Sequence, residues 1–160
     1  MFLKSFVMVT LDAKIPPPVV ALVVALGIWG ASFLTGRLAL LGPARFVLAG
    51  AFVVVALVFA VPAIRALRKA KTTISPREID RTTKVVTSGV YAHSRNPIYL
   101  ALASLLFGWA VFLEVPLGFL GPLFFVTYMN RYQIRPEERV LEQRFGPPYV
   151  AYKARVRRWI

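Results

Sequence analysis

Two long apolar runs constrain this chain more than any other feature: VVALVVALGIWGASFLTG, Val19 to Gly36, and RFVLAGAFVVVALVFAVPAI, Arg45 to Ile64. A helix needs about 20 residues to cross a hydrocarbon layer about 30 Å thick, and each run supplies that length. Lipid offers the backbone no hydrogen-bond partner, so a run of this kind is satisfied as a helix. The chain as a whole is 58% hydrophobic, too apolar for an ordinary soluble domain of 160 residues. The expectation is a single domain over residues 1–160 whose helices pack on one another within the bilayer. Gly27, Gly30 and Ala31 in the first run, with Ala49, Gly50 and Ala51 in the second, offer small surfaces for close helix contact, and Pro62 is placed to bend or finish the second helix.

Two further apolar segments follow, PIYLALASLLFGWAVFL from Pro97 to Leu113 and PLGFLGPLFFVTYM from Pro116 to Met129. With only Glu114 and Val115 between them they form a tight helical hairpin with an acid at its tip. Between the second and third segments lies a polar, basic stretch of about thirty residues, Arg65 to Asn96, with turn formers at Ser75-Pro76 and Ser88-Gly89. The tail from Asn130 carries Val140, Leu141 and Phe145 at helical spacing, a Gly-Pro-Pro break, and a second short aromatic and basic piece.

The fold class is therefore all-α, an integral membrane bundle of about four transmembrane helices. Lys and Arg set its orientation. Arg65 to Arg95 contains eight and Arg131 to Arg158 another eight, against Arg37 and Arg45 in the first connection. With four crossings the two rich regions share one side, which the charge bias makes cytoplasmic. Loop 65–96 and the C-terminal tail therefore meet.

The net charge of +13 does not indicate nucleic acid, because the basic residues flank apolar segments instead of forming a stripe on a soluble fold. With no cysteine and one histidine, His93, neither a thiolate site nor a metal centre is expected. The first fifteen residues lack a small-residue cleavage site after a proper hydrophobic region, so no removed signal peptide is expected, and an interfacial helix suits them.

The reactive side chains concentrate at the edge of the third segment, in GVYAHSRNPIYLAL, Gly89 to Leu102. Asn96-Pro97 suits a helix start: the Asn side chain accepts a hydrogen bond from an early N–H, and Pro fills the first helical position. On that reading Arg95 is a headgroup anchor and Tyr99 part of an interfacial aromatic belt. The tail adds EERVLEQRFGPPYVAY, with adjacent acids Glu137 and Glu138 and with Tyr149 and Tyr152 three apart. Taken singly, the acids pair with Arg135, Arg139 or Arg144 on the surface, a contribution of about 0–1 kcal/mol each, and the tyrosines belong to the aromatic belt.

Taken together, the two stretches resemble the integral-membrane methyltransferases that include isoprenylcysteine carboxyl methyltransferase and the phospholipid N-methyltransferases. The pattern is G-x-Y, then R-[HN]-P-x-Y at a helix start, then after a hairpin E-E-x-x-L-x-x-x-F-G-x-x-Y-x-x-Y. Here it is carried by Gly89, Tyr91, Arg95-Asn96-Pro97 and Tyr99, then by Glu137-Glu138, Leu141, Phe145-Gly146, Tyr149 and Tyr152. The resemblance covers about the last ninety residues, a family-like core of about 65–160. The chain departs from many relatives at Val90, where they have Pro, and at Ala101, where they have Gly.

The resemblance implies S-adenosylmethionine as methyl donor, bound where loop and tail meet at the membrane–cytoplasm interface, and a lipophilic small-molecule, lipid or prenylated acceptor arriving from the bilayer. Its cofactor-binding candidates are Tyr91, His93, Asn96, Pro97, Tyr99, Glu137, Glu138, Phe145 and Tyr149, and its catalytic candidates are His93, Arg95 and Glu138. The chemistry is consistent: tyrosines and Phe145 wall an adenine, the acids accept from a ribose diol or ammonium, and His93, Arg95 and helix-start N–H groups donate to a carboxylate. Methyl transfer from a sulfonium rests mainly on alignment and exclusion of water. A general base, His93 or a Glu, is needed only where the acceptor must lose a proton. Two other readings fit part of the pattern: a sterol-reductase-like enzyme using a nicotinamide cofactor, and a non-enzymatic membrane protein whose basic rim binds anionic lipid.

Overall fold

The computed structural model describes residues 15–35, 38, 40–70 and 85–160, and within them the chain is helical throughout, with no strand. Helix α1 spans Pro17–Thr35 and α2 spans Ala44–Lys69. Both are long and apolar enough to cross a membrane. A 3₁₀ turn over Gly89–Ala92 leads to α3, Pro97–Leu113, and a second over Pro116–Phe119 leads to α4, Leu120–Tyr128. The chain then widens into a π-helical turn, Met129–Ile134, continues as α5, Arg135–Phe145, and ends in α6, Pro147–Arg155. The interfacial helix expected near the N-terminus and residues 71–84 of the basic loop lie outside the described residues.

Proline stands in the first turn of α3 and α6 and of the turn before α4, where its missing N–H costs nothing, whereas Pro136 in α5 lies within a helix already running and takes one bond out of it just after the π turn. Pro62 neither ends nor divides α2, which runs on to Lys69. The fourth segment likewise does not stop at Met129. Its helix continues through the π turn into α5, and the real break is Gly146, whose φ of 58° suits a residue without a Cβ.

Helix α3 is the centre of the molecule. Helix α2 packs on one side of it, and α1 packs on it together with α4. Ser104 Oγ donates to the Phe52 carbonyl at 2.9 Å, tying α3 to α2, and Trp109 Nε1 donates to the Ala25 carbonyl at 3.1 Å, tying α3 to α1. The core gathers Ile28, Leu106, Ala110, Phe125 and Met129. Close helix approach occurs at glycines other than the expected ones. A Cβ on Gly108 would lie 2.9 Å from Phe52 Cβ, and one on Gly121 would lie 2.7 Å from Ile28 Cδ1, whereas Gly27, Gly30 and Gly50 face open space. Helices α1 and α2 both lean on α3, and of the small residues expected at contacts Ala49 approaches Gly108 and Ala31 packs against the core, while the glycines do not take part.

The outward faces are apolar. In α2 the buried residues are Ala56 and Ala63, while Val47 is 74% exposed and Val54 60%. In water such a face would drive association; in lipid it is the solvent-matched surface.

Candidate functional site

The turn before α3 and the C-terminal helices meet, as the charge pattern predicts. Glu138 is the pivot, 6% exposed although it sits in an otherwise strongly charged helix. Its Oε1 lies 3.1 Å from Arg95 Nη2 and accepts from Arg158 Nε at 3.2 Å, and its Oε2 accepts from Arg158 Nη2 at 2.6 Å. One carboxylate is thus shared by two guanidinium groups, which leaves a net positive charge and lengthens the list of partners well beyond a surface pair. Arg95 itself is nine-tenths buried, and its Nε and Nη1 are closed to water and hold no hydrogen-bond partner. A buried unpartnered donor costs about 1–3 kcal/mol, more when charged, so these two mark a place that an acceptor would stabilise.

Glu137 occupies a different environment beside it. Its Oε1 accepts from Tyr99 Oη at 2.6 Å and from Gln133 Nε2. Loss of water around the carboxyl raises its pKa to about 7, against the opposing pull of the Gln133 and Tyr99 hydrogen bonds and with a smaller push from the Glu138 charge. Two adjacent carboxyls therefore differ: Glu138 is locked between arginines, while Glu137 changes charge near neutral pH.

The tyrosines face inward instead of forming a belt. Tyr91, Tyr99, Tyr149 and Tyr152 are all buried, and Tyr152 Oη donates to the Tyr91 carbonyl at 2.7 Å, joining α6 to the turn. Burial raises the phenols of Tyr91 and Tyr149 far above their usual range and that of Tyr152 to about 12, so all three stay neutral donors.

Asn96 differs from its expected role. It precedes α3 and its carbonyl accepts from Leu100 N–H, but its side chain caps no N–H; instead Nδ2 donates to the Arg158 carbonyl at 2.9 Å. Its extended φ of −130° carries the amide away from the first turn and toward that acceptor. Pro97 opens the helix as expected and is fully enclosed.

Of the sequence candidates, the fold therefore brings together Arg95, Asn96, Pro97, Tyr99, Glu137, Glu138, Tyr91 and Tyr149. Two stand apart. His93 closes the 3₁₀ turn as an exposed residue, and Phe145 is half-buried at the end of α5 with the Arg144 guanidinium over its ring. Three participants were not among the sequence candidates. Arg158 is indistinguishable from its neighbours in a basic tail, and Ser94, whose Oγ accepts from Asn96 N–H at 3.1 Å, is a small residue in a turn. Gln133 was findable, since it stands one helical turn before Glu137.

These features define a helical membrane protein with a buried, partly unsatisfied polar site at one end of its central helix. Residues 44–148 match the phospholipid methyltransferase family, and the chain belongs to that family of membrane methyltransferases. The match begins at the first residue of α2, upstream of the motif-bearing residues and of the family-like core expected from about residue 65. A 63-residue stretch, 39% of this chain, is 41% identical to the whole of an uncharacterised protein from Haemophilus influenzae. No solved structure matches. Of the three readings the motifs allow, the family match is to the methyltransferase.

Proposed function

We propose that the protein methylates a lipophilic acceptor, a lipid or a prenylated molecule, with S-adenosylmethionine as donor, at the cytoplasmic edge of the bilayer. The observation that carries this reading is Arg95, nine-tenths buried with two donors unpartnered, set beside an acid that titrates near 7 and a group of buried tyrosines. The residues present fit the donor molecule. Arg95 Nε or Nη1, which lie on either side of the Nη2 that Glu138 holds, suits an oxygen of its carboxylate once the side chains over it give way, Tyr91 and Tyr149 supply walls for the base, and Glu137 accepts from a hydroxyl or ammonium. His93 stays at the exposed rim.

When bound, S-adenosylmethionine supplies an electrophilic methyl group on a sulfonium. The chain's own residues bind and align. Glu138 holds the Arg95 guanidinium in place, Tyr99 and Gln133 orient Glu137, and the packed helix start keeps water out. Where the acceptor is an amine, Glu137 in its ionised form takes the proton and later gives it up to water. In this reading the domain is 1–160, four segments cross the membrane, and loop 65–96 and the tail face the cytoplasm, so a water-soluble donor and a bilayer-resident acceptor reach one site from different sides.

The test is a thermal shift of the purified protein in detergent with S-adenosylmethionine and with S-adenosylhomocysteine, followed by transfer of labelled methyl to a membrane lipid extract. Binding to the native state raises the apparent Tm, and a ligand at 100 times Kd adds about 2.7 kcal/mol. An unmoved Tm with both nucleosides overturns the proposal.

A further inference from the structure

Residues 156–160, beyond the segment that matches the family, lie as an extended strap across the start of α3. The Arg157 carbonyl accepts from Arg95 N–H at 3.0 Å, and the Arg158 carbonyl accepts from Asn96 Nδ2 at 2.9 Å and from Ser94 Oγ at 3.5 Å. Trp159 Nε1 donates to Asn130 Oδ1 at 3.1 Å, fixing the strap to the π-helical turn. Between these anchors the Arg158 guanidinium grips Glu138 through two nitrogens.

That grip has a consequence for Arg95. A free carboxylate beside a guanidinium takes two of its donors in a fork, which is the geometry both groups favour. Here Glu138 meets Arg95 through Nη2 only, because both of its oxygens also serve Arg158. Two buried Arg95 donors are left without an acceptor as a result. The arrangement is costly for an empty protein and useful only if an external anion takes those donors.

We infer that Arg158 is a positioning residue: by engaging Glu138 it keeps that carboxylate from closing on Arg95, and so holds Arg95 open for the carboxylate of the bound nucleoside. This rests on the methyl-donor site proposed above. It assigns the strap a part in ligand recognition that does not involve touching the ligand.

The experiment measures calorimetric affinity of the full chain in detergent for two probes, S-adenosylhomocysteine, which carries an amino-acid carboxylate, and 5′-methylthioadenosine, the same nucleoside thioether without it. Arg158→Ala releases Glu138 to fork onto Arg95 and should weaken S-adenosylhomocysteine about tenfold while leaving 5′-methylthioadenosine unchanged. Adding Glu138→Gln to Arg158→Ala removes the competing charge while the amide oxygen still accepts from Arg95 Nη2, and should restore most of the lost affinity, a rescue that damage to the fold would not give. Arg158→Lys keeps the charge with one contact point in place of two and should fall between, which secures the test if the alanine variant folds poorly. Equal loss for both probes, or no recovery in the double variant, overturns the strap assignment alone. If the native protein binds neither probe, the methyl-donor site and the strap assignment fall together.

Discussion

The two ends of α3 are built from the same groups and do different things. At its C-terminal end Glu114 is 7% exposed, accepts from Leu41 N–H at 2.7 Å and pairs with Arg45 at 3.4 Å, while its carbonyl accepts from Leu38 N–H. Arg45 in turn lies over the Phe46 and Phe112 rings and keeps about a third of its side chain exposed. Every link there joins one part of the chain to another: the acid lashes the α1–α2 connection to the hairpin tip. At the N-terminal end, by contrast, the arginine is deeper, the acids are two, the aromatic groups are phenols with hydroxyls, and one carboxyl titrates near 7. A buried acid–arginine pair is therefore no sign of function on its own. Arg45 too leaves one buried donor, Nε, without a partner, so what separates the two ends is that Arg95 leaves two such donors and is itself nine-tenths buried, while about a third of the Arg45 side chain reaches water.

The comparison breaks most plainly at Arg95. Arg95→Ala should lower kcat/KM for methyl transfer at least 100-fold, about 3 kcal/mol, because a buried, charge-assisted contact to a ligand carboxylate is lost. Arg158 still pairs Glu138, so the variant should remain folded by gel filtration; activity within threefold of the native protein would place the site elsewhere. Glu114→Ala should do the reverse, lowering stability by about 2 kcal/mol by leaving Leu41 N–H and Arg45 without their acceptor. Its KM for the methyl donor should not change. A raised KM would show that the two ends are coupled.

Glu137 sharpens the contrast through pH. Its folded pKa, about 7, lies above the 4.5 of an unfolded chain, so the folded state holds a proton that the unfolded state has released between those values. The stability this gives is complete below about pH 4.5 and lost as pH rises through about 7. Methyl transfer to an amine should run the other way, since it uses the ionised carboxyl, and should fall about tenfold by pH 6 from its plateau above 7. Glu137→Gln should flatten that limb and should gain stability relative to the native protein as pH is raised from 5 to 8. Tyr99, Gln133, Tyr91 and Glu138 surround the group and are unchanged in the variant. A rate limb that persists in Glu137→Gln would assign the titration to another residue.

How much of this the sequence discloses depends on what each feature rests on. The helices were legible because α1, α2 and α3 are written as apolar runs with proline at or near their starts, signals that act within a few residues. The meeting of loop and tail was legible from the distribution of Lys and Arg, and the gathering of Tyr91, Arg95 and Tyr99 with the two acids at one site from the family resemblance their motifs carry. The site's wiring was not. Nothing local distinguishes Arg158 from Arg157, yet one grips Glu138 and the other lends a carbonyl to Arg95 N–H. Asn96 carries the signature of a cap but its amide turns to the strap, since a tertiary acceptor competes with the first helical turn. The π turn was also hidden: MNRYQI reads as ordinary helix, and Pro136 just beyond it signals a helix start as readily as a widened turn.

The smallest expected effect concerns the fastening end, and it separates the acid's bonds from its backbone. Glu114 has φ 54° and ψ 37°, the left-handed conformation that commonly closes a helix and that glycine adopts without the clash of a Cβ against the carbonyl oxygen. Glutamate is kept there because its carboxylate meets Leu41 N–H and Arg45, an advantage that exceeds the conformational cost of about 1 kcal/mol. Glu114→Gly loses those bonds but escapes that cost, so it should be less destabilising than Glu114→Ala by about 1 kcal/mol in a denaturant titration. If the two variants are equally unstable, the backbone at the hairpin tip carries no strain and the carboxylate alone accounts for the choice of residue. If glycine matches the native protein, the lashing contributes nothing net, and the distinction between the two ends of α3 rests on the Arg95 end alone.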